Sequence, residues 1–270
     1  MPKSTYKYWR YQLQKPDKDQ GIKELILDIK SNNKDFGYRR VTAKLQKAGM
    51  TINKKKVQRL MNEMNVKVTS YTRKSRKYYS FRGEVGKIAP NVLNREFDTG
   101  ILHEKIVTDT TEFKYESINE NGTKEIKKCY LDPFMDLYNR EIVSYSFGKR
   151  PSSNNVLSAL MSAIIVTNDC EKQRIFHSDQ GWAYQMKKYV KILEDTDIVQ
   201  SMSRRGNCHD NSVMENFFGL LKQEIYYGRT YHSFEALKRE IIKFIKYYNE
   251  ERIKERLGWM SPVEYRLSNP

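Results

Sequence analysis

From residue 104 onward the hydrophobic pattern changes period, and no other feature restricts the fold of this chain as strongly. EKIVTDTTEFKY is rich in β-branched and aromatic residues, KKCYLDPFMDLY reads as a second strand, and EIVSYSFGKR as a third, joined through the short turn at Asn139-Arg140. A helical stripe of Val156, Leu157, Leu160, Ala163 and Ile164 then runs from about Asn154 to Thr167. RIFHSD is a fourth strand, AYQMKKYVKILEDT a helix and IVQSMS a fifth strand. The order β-β-β-α-β-α-β predicts an α/β fold: a mixed five-stranded sheet, an antiparallel meander extended by helix-separated strands, flanked by helices.

The chain before this region is a polycation. Residues 1 to 100 hold 24 Lys and Arg against 9 Asp and Glu, a net of +15; the other 170 residues hold 25 against 24, a net of +1. A solvated basic arm would lack hydrophobic periodicity. Here Ile22, Leu25, Ile26 and Ile29 make the stripe of one helix. Val41 and Leu45 belong to a second that stops at Gly49. Asn53 caps a third with Val57, Leu60, Met61 and Met64 on its buried face. Two short helices joined by a tight glycine-containing turn, the second carrying Lys54, Lys55, Lys56, Gln58 and Arg59 outward, read as a helix-turn-helix. A helical bundle with a solvated basic face is the alternative. From 67 to about 100 there is no clean period. Arg73, Lys74, Arg76 and Lys77 interleave with Tyr71, Tyr78, Tyr79 and Phe81, as in a basic linker that could track nucleic acid or simply tether.

No stretch reaches the roughly 18 apolar residues of a membrane span, and MPKSTYKYWRYQLQK lacks the apolar segment of a signal peptide, so the expected location is the cytoplasm. Cys129, Cys170 and Cys208 lie about 40 positions apart, which fits neither a disulfide framework nor a zinc finger. The run from Cys208 to Glu215 has the residue mix of a metal site, yet adjacent Cys208, His209 and Asp210 cannot easily wrap one tetrahedral ion.

Three carboxylates stand where such a sheet could gather them. Asp109 lies within the first strand on the face of Val107 and Phe113, Asp179 ends the fourth strand before Gly181, and Glu215 is in the first turn of a helix. Each also has a plainer reading. Ser212 and Glu215 fit a capping box, Asp179 a turn, and Asp109 a lone buried group bonded to a threonine. Asp132 and Asp136 compete for the same role, with Asp136 placed to pair with Arg140.

IVTDTTEF, FHSDQGWAY and SMSRRGNCHDNSVMENFFGLLKQEIYYG resemble the three catalytic motifs of the DDE transposases encoded by the second reading frame of bacterial insertion sequences of the IS-three type. Thirty-five residues separate Asp179 from Glu215, the spacing for which the superfamily signature is named. DFGYRRVTAKLQKAGMTINKKKVQRLMNEMNV and YYNEERIKERLGWMSPVEYR resemble the family's N-terminal and C-terminal segments. Ile106 stands where the family often has tryptophan, and the 69 residues between Asp109 and Asp179 are somewhat many.

The resemblance implies a ribonuclease-H-like, integrase-type core at 101–228, preceded by a small all-α helix-turn-helix domain at 1–66 and a linker at 67–100, and closed by a helical segment at 229–270. It implies cleavage and joining of DNA ends on Asp109, Asp179 and Glu215 with two Mg²⁺ or Mn²⁺ ions. The substrates would be the terminal inverted repeats of a mobile element and double-stranded target DNA. It further implies a homo-oligomer on DNA, with an upstream-frame protein as a possible partner. Arg39, Arg40, Lys54, Lys55, Lys56, Gln58, Arg59, Arg73, Lys74, Arg76, Lys77, Arg204, Arg205 and Lys222 are the expected DNA contacts. A ribonuclease-H-type nuclease and an inactive DNA-binding relic are the alternatives.

Overall fold

The structure is a computed structural model that describes residues 1–68, 70, 86–119 and 122–269. The linker candidates Arg73, Lys74, Arg76 and Lys77, with Tyr71, Tyr78, Tyr79 and Phe81, lie outside the described residues. The chain divides into two compact units, Met1–Tyr71 and Thr72–Pro270.

The first unit contains α1 (Lys3–Gln14), α2 (Gln20–Asn32), α3 (Tyr38–Lys47) and α4 (Lys54–Glu63). Ile26, Phe36, Val41, Leu45, Ile52, Val57, Leu60 and Met61 make its core. The turn between α3 and α4 needs Gly49, whose φ of 86° is strained for any side chain. Asn53 caps α4 by accepting from the Lys55 N–H at 2.9 Å. Two expectations change. Leu25 is 46% exposed, so the buried side of α2 is carried by Ile26 with Ile22 and Ile29 half-buried. Helix α1 was not expected, because Tyr6, Tyr8, Trp9, Tyr11 and Leu13 form no single apolar stripe, and all five are exposed.

In the second unit the strands are β1 (Lys105–Thr108), β2 (Thr111–Ile118), β3 (Lys124–Asp136), β4 (Ile142–Gly148), β5 (Arg174–Ser178) and β6 (Ile198–Met202). The strand expected over 104–115 is divided at Asp109-Thr110. Its halves nevertheless keep one register on β3, with Thr108 opposite Phe134 and Thr111 opposite Leu131, so Asp109 falls opposite Pro133, which has no N–H to give. Six segments thus fill five positions across the sheet, β4, β3, β1 with β2, β5 and β6, antiparallel on one side and parallel on the other. This is the ribonuclease-H-like arrangement. β2 and β3 form a hairpin whose last pair is Ile118 with Lys124, and beyond it the Thr123 N–H donates to the Asn119 side chain.

Helices α5 (Ser153–Val166) and α6 (Lys187–Asp195) cover one face, burying Val156, Leu160, Ala163, Tyr189 and Leu193 on Ile106, Phe134 and Phe176. Ile106 is fully buried here, in the place where tryptophan is common. On the other face α7 (Ser212–Leu221) and α8 (Phe234–Glu250) pack Met214, Phe217, Leu221, Leu237, Ile241 and Phe244 onto Val107, Phe113 and Leu131. The last helix, α9 (Pro262–Ser268), carries a capping box between Ser261 and Glu264.

Candidate active site

β1 and β5 are adjacent and parallel, paired Lys105 to Ile175, Ile106 to Phe176 and Val107 to His177. Continued by two residues, this register sets Asp109 level with Asp179, just past the carboxyl ends of neighbouring strands and about 5 Å apart in backbone. That edge is where α/β sheets bind ligands. Glu215 approaches from α7, whose start is tied to β1 by Asn211 Nδ2 donating to the Thr108 carbonyl at 3.0 Å.

All three carboxyls are pushed above the usual carboxylate range. Asp109 is raised furthest, by burial first and then by the charges of Asp179 and Glu215; the Thr110 N–H and Lys222 oppose the shift. Burial raises Asp179 against the Gly181 N–H, and burial raises Glu215 against His209. Asp109 Oδ1 accepts from Thr110 N at 2.7 Å and Asp179 Oδ1 from Gly181 N at 2.8 Å. Glu215 makes no hydrogen bond or ion pair among the described residues. Its capping-box alternative is overturned: Asn211, not Ser212, is the N-cap residue, and it gives no side-chain cap. The turn reading of Asp179 is correct locally, and does not separate it from Asp109. Among the described residues no three His, Cys, Asp or Glu side chains close around one point at ligating distance.

Tyr184 lies beneath this group, its hydroxyl 3.5 Å from Thr108 Oγ1 and 3.3 Å from Thr110 Oγ1. Its ionisation is strongly suppressed by burial and by Asp109, Asp132 and Asp179. Gly181 permits the packing, since a Cβ there would sit 2.8 Å from Asp179 Oδ1 and 3.2 Å from the Tyr184 ring. His177 is buried between Ser201 and Ser203, at 2.8 and 3.1 Å, and burial lowers it to about 4, so it is a neutral brace between β5 and β6. Neither residue was singled out from the sequence, where buried polar pairing has no periodic signal.

The competing acids have other partners. Asp132 is buried and accepts from Thr110 Oγ1 at 2.7 Å and Ser146 Oγ at 3.1 Å. Asp136 is fully buried and accepts from the backbone N–H groups of His103 and Tyr138. Its expected pairing with Arg140 does not form, because that guanidinium bonds to the Phe97 carbonyl and Asp98. Asp210 is held by Arg204 in a bidentate pair, both contacts 2.8 Å, and by Arg95 at 2.7 Å. The side chain of Cys208 lies outside the description, and His209 is exposed.

The expected DNA contacts fare unevenly. Lys54, Lys55 and Gln58 are exposed on α4. Lys56 and Arg59 both engage buried Asp19, at 2.7 and 2.9 Å, and Arg59 also pairs with Glu63, so the two are less outward than expected. Arg39 is exposed against Tyr38, and Arg40 stands over Phe36. Arg205 is exposed. Lys222 opens a π-helical turn, Lys222–Tyr226, with its ammonium 5.1 Å from the Phe113 ring centre, and lies near enough to favour ionised Asp109. Such turns frequently occur at functional sites.

Residues 102–208 and 215–269 match models described as integrase core domain, and residues 16–75 match an HTH-like domain. InsK of Escherichia coli (strain K12), named as a transposase for insertion sequence element IS150, is 44% identical over 98% of this chain and 90% of its own length. An uncharacterized transposase-like protein of Haemophilus influenzae is 43% identical over 85% and 99%, and the transposase for IS904 of Lactococcus lactis 29% over 94% and 98%. The HTLV-2 integrase catalytic core domain in complex with magnesium aligns over 61% of this chain and 97% of its own, with TM-score 0.44 and 16% identity. The chain belongs to the insertion-sequence transposases with an integrase core domain, a polynucleotidyl transferase family.

Proposed function

We propose that this chain cleaves and joins the ends of a bacterial insertion sequence by phosphoryl transfer on Asp109, Asp179 and Glu215. The observation that carries the reading is the register that sets Asp109 level with Asp179 at the carboxyl edge of the sheet, where Asp109 is raised by burial and then by the charges of Asp179 and Glu215. Like charges brought together in a half-buried place are costly without a cation, and their hard oxygens suit Mg²⁺ or Mn²⁺. Asp109 and Asp179 each commit one oxygen to a neighbouring backbone N–H and keep the other without a hydrogen bond among the described residues, which fits the group. Two divalent ions, when bound, would supply Lewis acidity toward the attacking and leaving oxygens of an in-line displacement. Asp109 would hold both ions, Asp179 and Glu215 one each. Lys222, on the Asp109 side, would hold a phosphate beside the scissile bond, and Tyr184 keeps the floor of the site fixed and neutral.

The domain limits accord with the same reading: helix-turn-helix 1–66, basic linker 67–100, core 101–228 and a C-terminal segment 229–270. The front unit would supply most of the affinity for the inverted terminal repeats, and the core the chemistry. Lys54, Lys55 and Lys56 would meet phosphates, Gln58 and Arg59 bases, Arg39, Arg40, Arg73, Lys74, Arg76 and Lys77 the backbone beyond them, and Arg204 and Arg205 the DNA near the metals. Joining two ends calls for more than one copy on DNA, alone or with an upstream-frame product. No helix of the described residues is long and apolar enough to cross a membrane. The deciding experiment is incubation of the full chain with labelled element ends and Mg²⁺ or Mn²⁺, with joined products resolved on a gel. Products that also form with Asp109→Asn would sink the reading.

A further inference from the structure

Asp210 is fully buried and its carboxylate is saturated. Oδ2 accepts from the Arg204 backbone N–H at 3.0 Å, Arg204 Nε at 2.8 Å and Asn91 Nδ2 at 3.1 Å; Oδ1 accepts from Arg204 Nη2 at 2.8 Å and Arg95 Nε at 2.7 Å. Two guanidiniums therefore converge on one carboxylate from chain segments more than a hundred positions apart, although one would neutralise it. The surplus is a positive charge facing outward. The side chains of Arg95 and Arg204 are 45% and 53% exposed, and the Nη groups of Arg95 and Nη1 of Arg204 have no protein partner among the described residues.

The carboxylate that gathers this pair is anchored beside the reacting groups. Asn211, next to Asp210, is bonded to the Thr108 carbonyl adjoining Asp109, and Glu215 is one helical turn further on. The loop that carries Arg204 is closed on itself by Asn207 N to Arg204 O and Asp210 N to Asn207 O, with Gly206 at φ 70°. Both forks are thus held in a fixed direction before any ligand arrives. Little side-chain entropy remains to be lost on binding, and a planar guanidinium fork matches phosphate oxygens better than it matches most other anions.

We propose that Arg95 and Arg204, oriented by Asp210, form a cradle for one phosphodiester of the DNA backbone beside the scissile bond. Asp210 is a positioning residue here, and the two arginines are the binding groups. The inference rests on the reading of Asp109, Asp179 and Glu215 as the reacting site, because that reading supplies the DNA.

The test uses the full chain and a set of element-end duplexes, each with a single neutral methylphosphonate at a successive backbone position near the cleavage point. Affinity is read by fluorescence anisotropy in EDTA, independently of cleavage. Wild type is expected to lose about tenfold at one or two adjacent positions, as befits a charge-assisted contact. Arg95→Ala and Arg204→Ala should bind unmodified DNA more weakly and lose less than about twofold further at those same positions, since the contact is already gone. Arg95→Gln, which can keep one N–H on Asp210 without the charge, should behave like Arg95→Ala; it also covers the case in which alanine unfolds the loop, checked by thermal melting. If no position is sensitive in wild type, or if the variants lose the same further factor everywhere, the arginines only tie the loop and the cradle is excluded. Failure of the reacting-site reading would look different: a normal methylphosphonate map with no metal-dependent cleavage by wild type.

Discussion

Asn211 is hydrogen-bonded through Nδ2 to the carbonyl of Thr108, one residue before Asp109, so the helix bearing Glu215 is fastened to the strand bearing the first aspartate. Asn211→Ala removes this link and leaves a buried carbonyl short of a donor. The expected loss is about 1–2 kcal/mol in urea unfolding, with a larger proportional fall in joining than in DNA affinity. Joining equal to wild type would show that the fastening does not position Glu215.

Asp109→Asn, Asp179→Asn and Glu215→Gln should each abolish cleavage and joining while DNA binding stays within about twofold, because shape is kept and charge removed. Gly181→Ala provides a gentler probe. Its new methyl would lie 2.8 Å from Asp179 Oδ1 with the Tyr184 ring behind it, so the carboxylate must turn. Joining by Gly181→Ala is expected to fall about tenfold or more, a barrier change of roughly 1.4 kcal/mol, with its Mg²⁺ requirement shifted to higher concentration. Unchanged metal dependence would mean that Asp179 tolerates the shift.

The front unit allows a test with the sign reversed. Asp19 is 3% exposed and holds Lys56 and Arg59. Asp19→Asn should release both cations, making DNA binding tighter and its dependence on salt steeper by about one phosphate contact. Stability should fall, read as an earlier midpoint in urea. Lys55→Ala should weaken binding on all sequences alike, and Gln58→Ala mainly on the element's own ends. A salt slope unchanged by Asp19→Asn would place the Lys56 and Arg59 side away from DNA.

Asp136 yields a pH signature away from the site. Burial, opposed by the Tyr138 and His103 N–H groups, raises it to about 6. Its folded value exceeds the ordinary 3.8, so the protonated form favours the fold, and this contribution is complete below about 4 and lost as pH rises through 6. Asp136→Asn cannot ionise. Relative to wild type it should gain on the order of 2 kcal/mol between pH 4.5 and 7.5 in urea melts, although it starts lower for want of one acceptor. A difference constant with pH would mean that Asp136 titrates normally.

Arg252 and Glu224 form an ion pair of 2.5 Å, with side chains 2% and 4% exposed. Arg252→Met alone should destabilise by about 3–5 kcal/mol, since it takes away the cation that faces a buried carboxylate. Adding Glu224→Leu should recover part of that loss. A double-mutant cycle in guanidinium reads the coupling; a double variant worse than the sum of both singles would deny it.

Much of this was legible because burial imposes a period. Helices α2 to α4, with Gly49 and Asn53 at their ends, and the strand and helix order of the core follow from where apolar residues recur. Asp109, Asp179 and Glu215 were candidates because charge in or beside apolar runs is conspicuous, but Asp132 and Asp136 share that signal, and the choice among them came from the resemblance of the three motifs. Their electrostatic proximity could not be picked out, since it depends on which strands are neighbours. What escaped was polar and distant in sequence. Asp19 with Arg59, and Asp210 with Arg95, join positions whose sequence carries no trace of the pairing. Helix α1 escaped because its aromatic residues face every direction. The division of the first strand escaped because Pro133, opposite Asp109, acts across a register that is set only when the sheet forms.

That unbroken register has a consequence for how the molecule tolerates changes of length. Removing one residue between Thr108 and Thr111 would turn every side chain from Phe113 to Ile118 to the opposite face and expel Phe113 and Tyr115 from the core. Lengthening the hairpin between Asn119 and Thr123 would not, since Ile118 is 72% and Ile126 74% exposed and the ladder below them is already set. The protein therefore has a ruler and a spare length of tape a few residues apart. An epitope inserted between Ile118 and Lys124 should report on the folded protein without disturbing the register of the ladder below it.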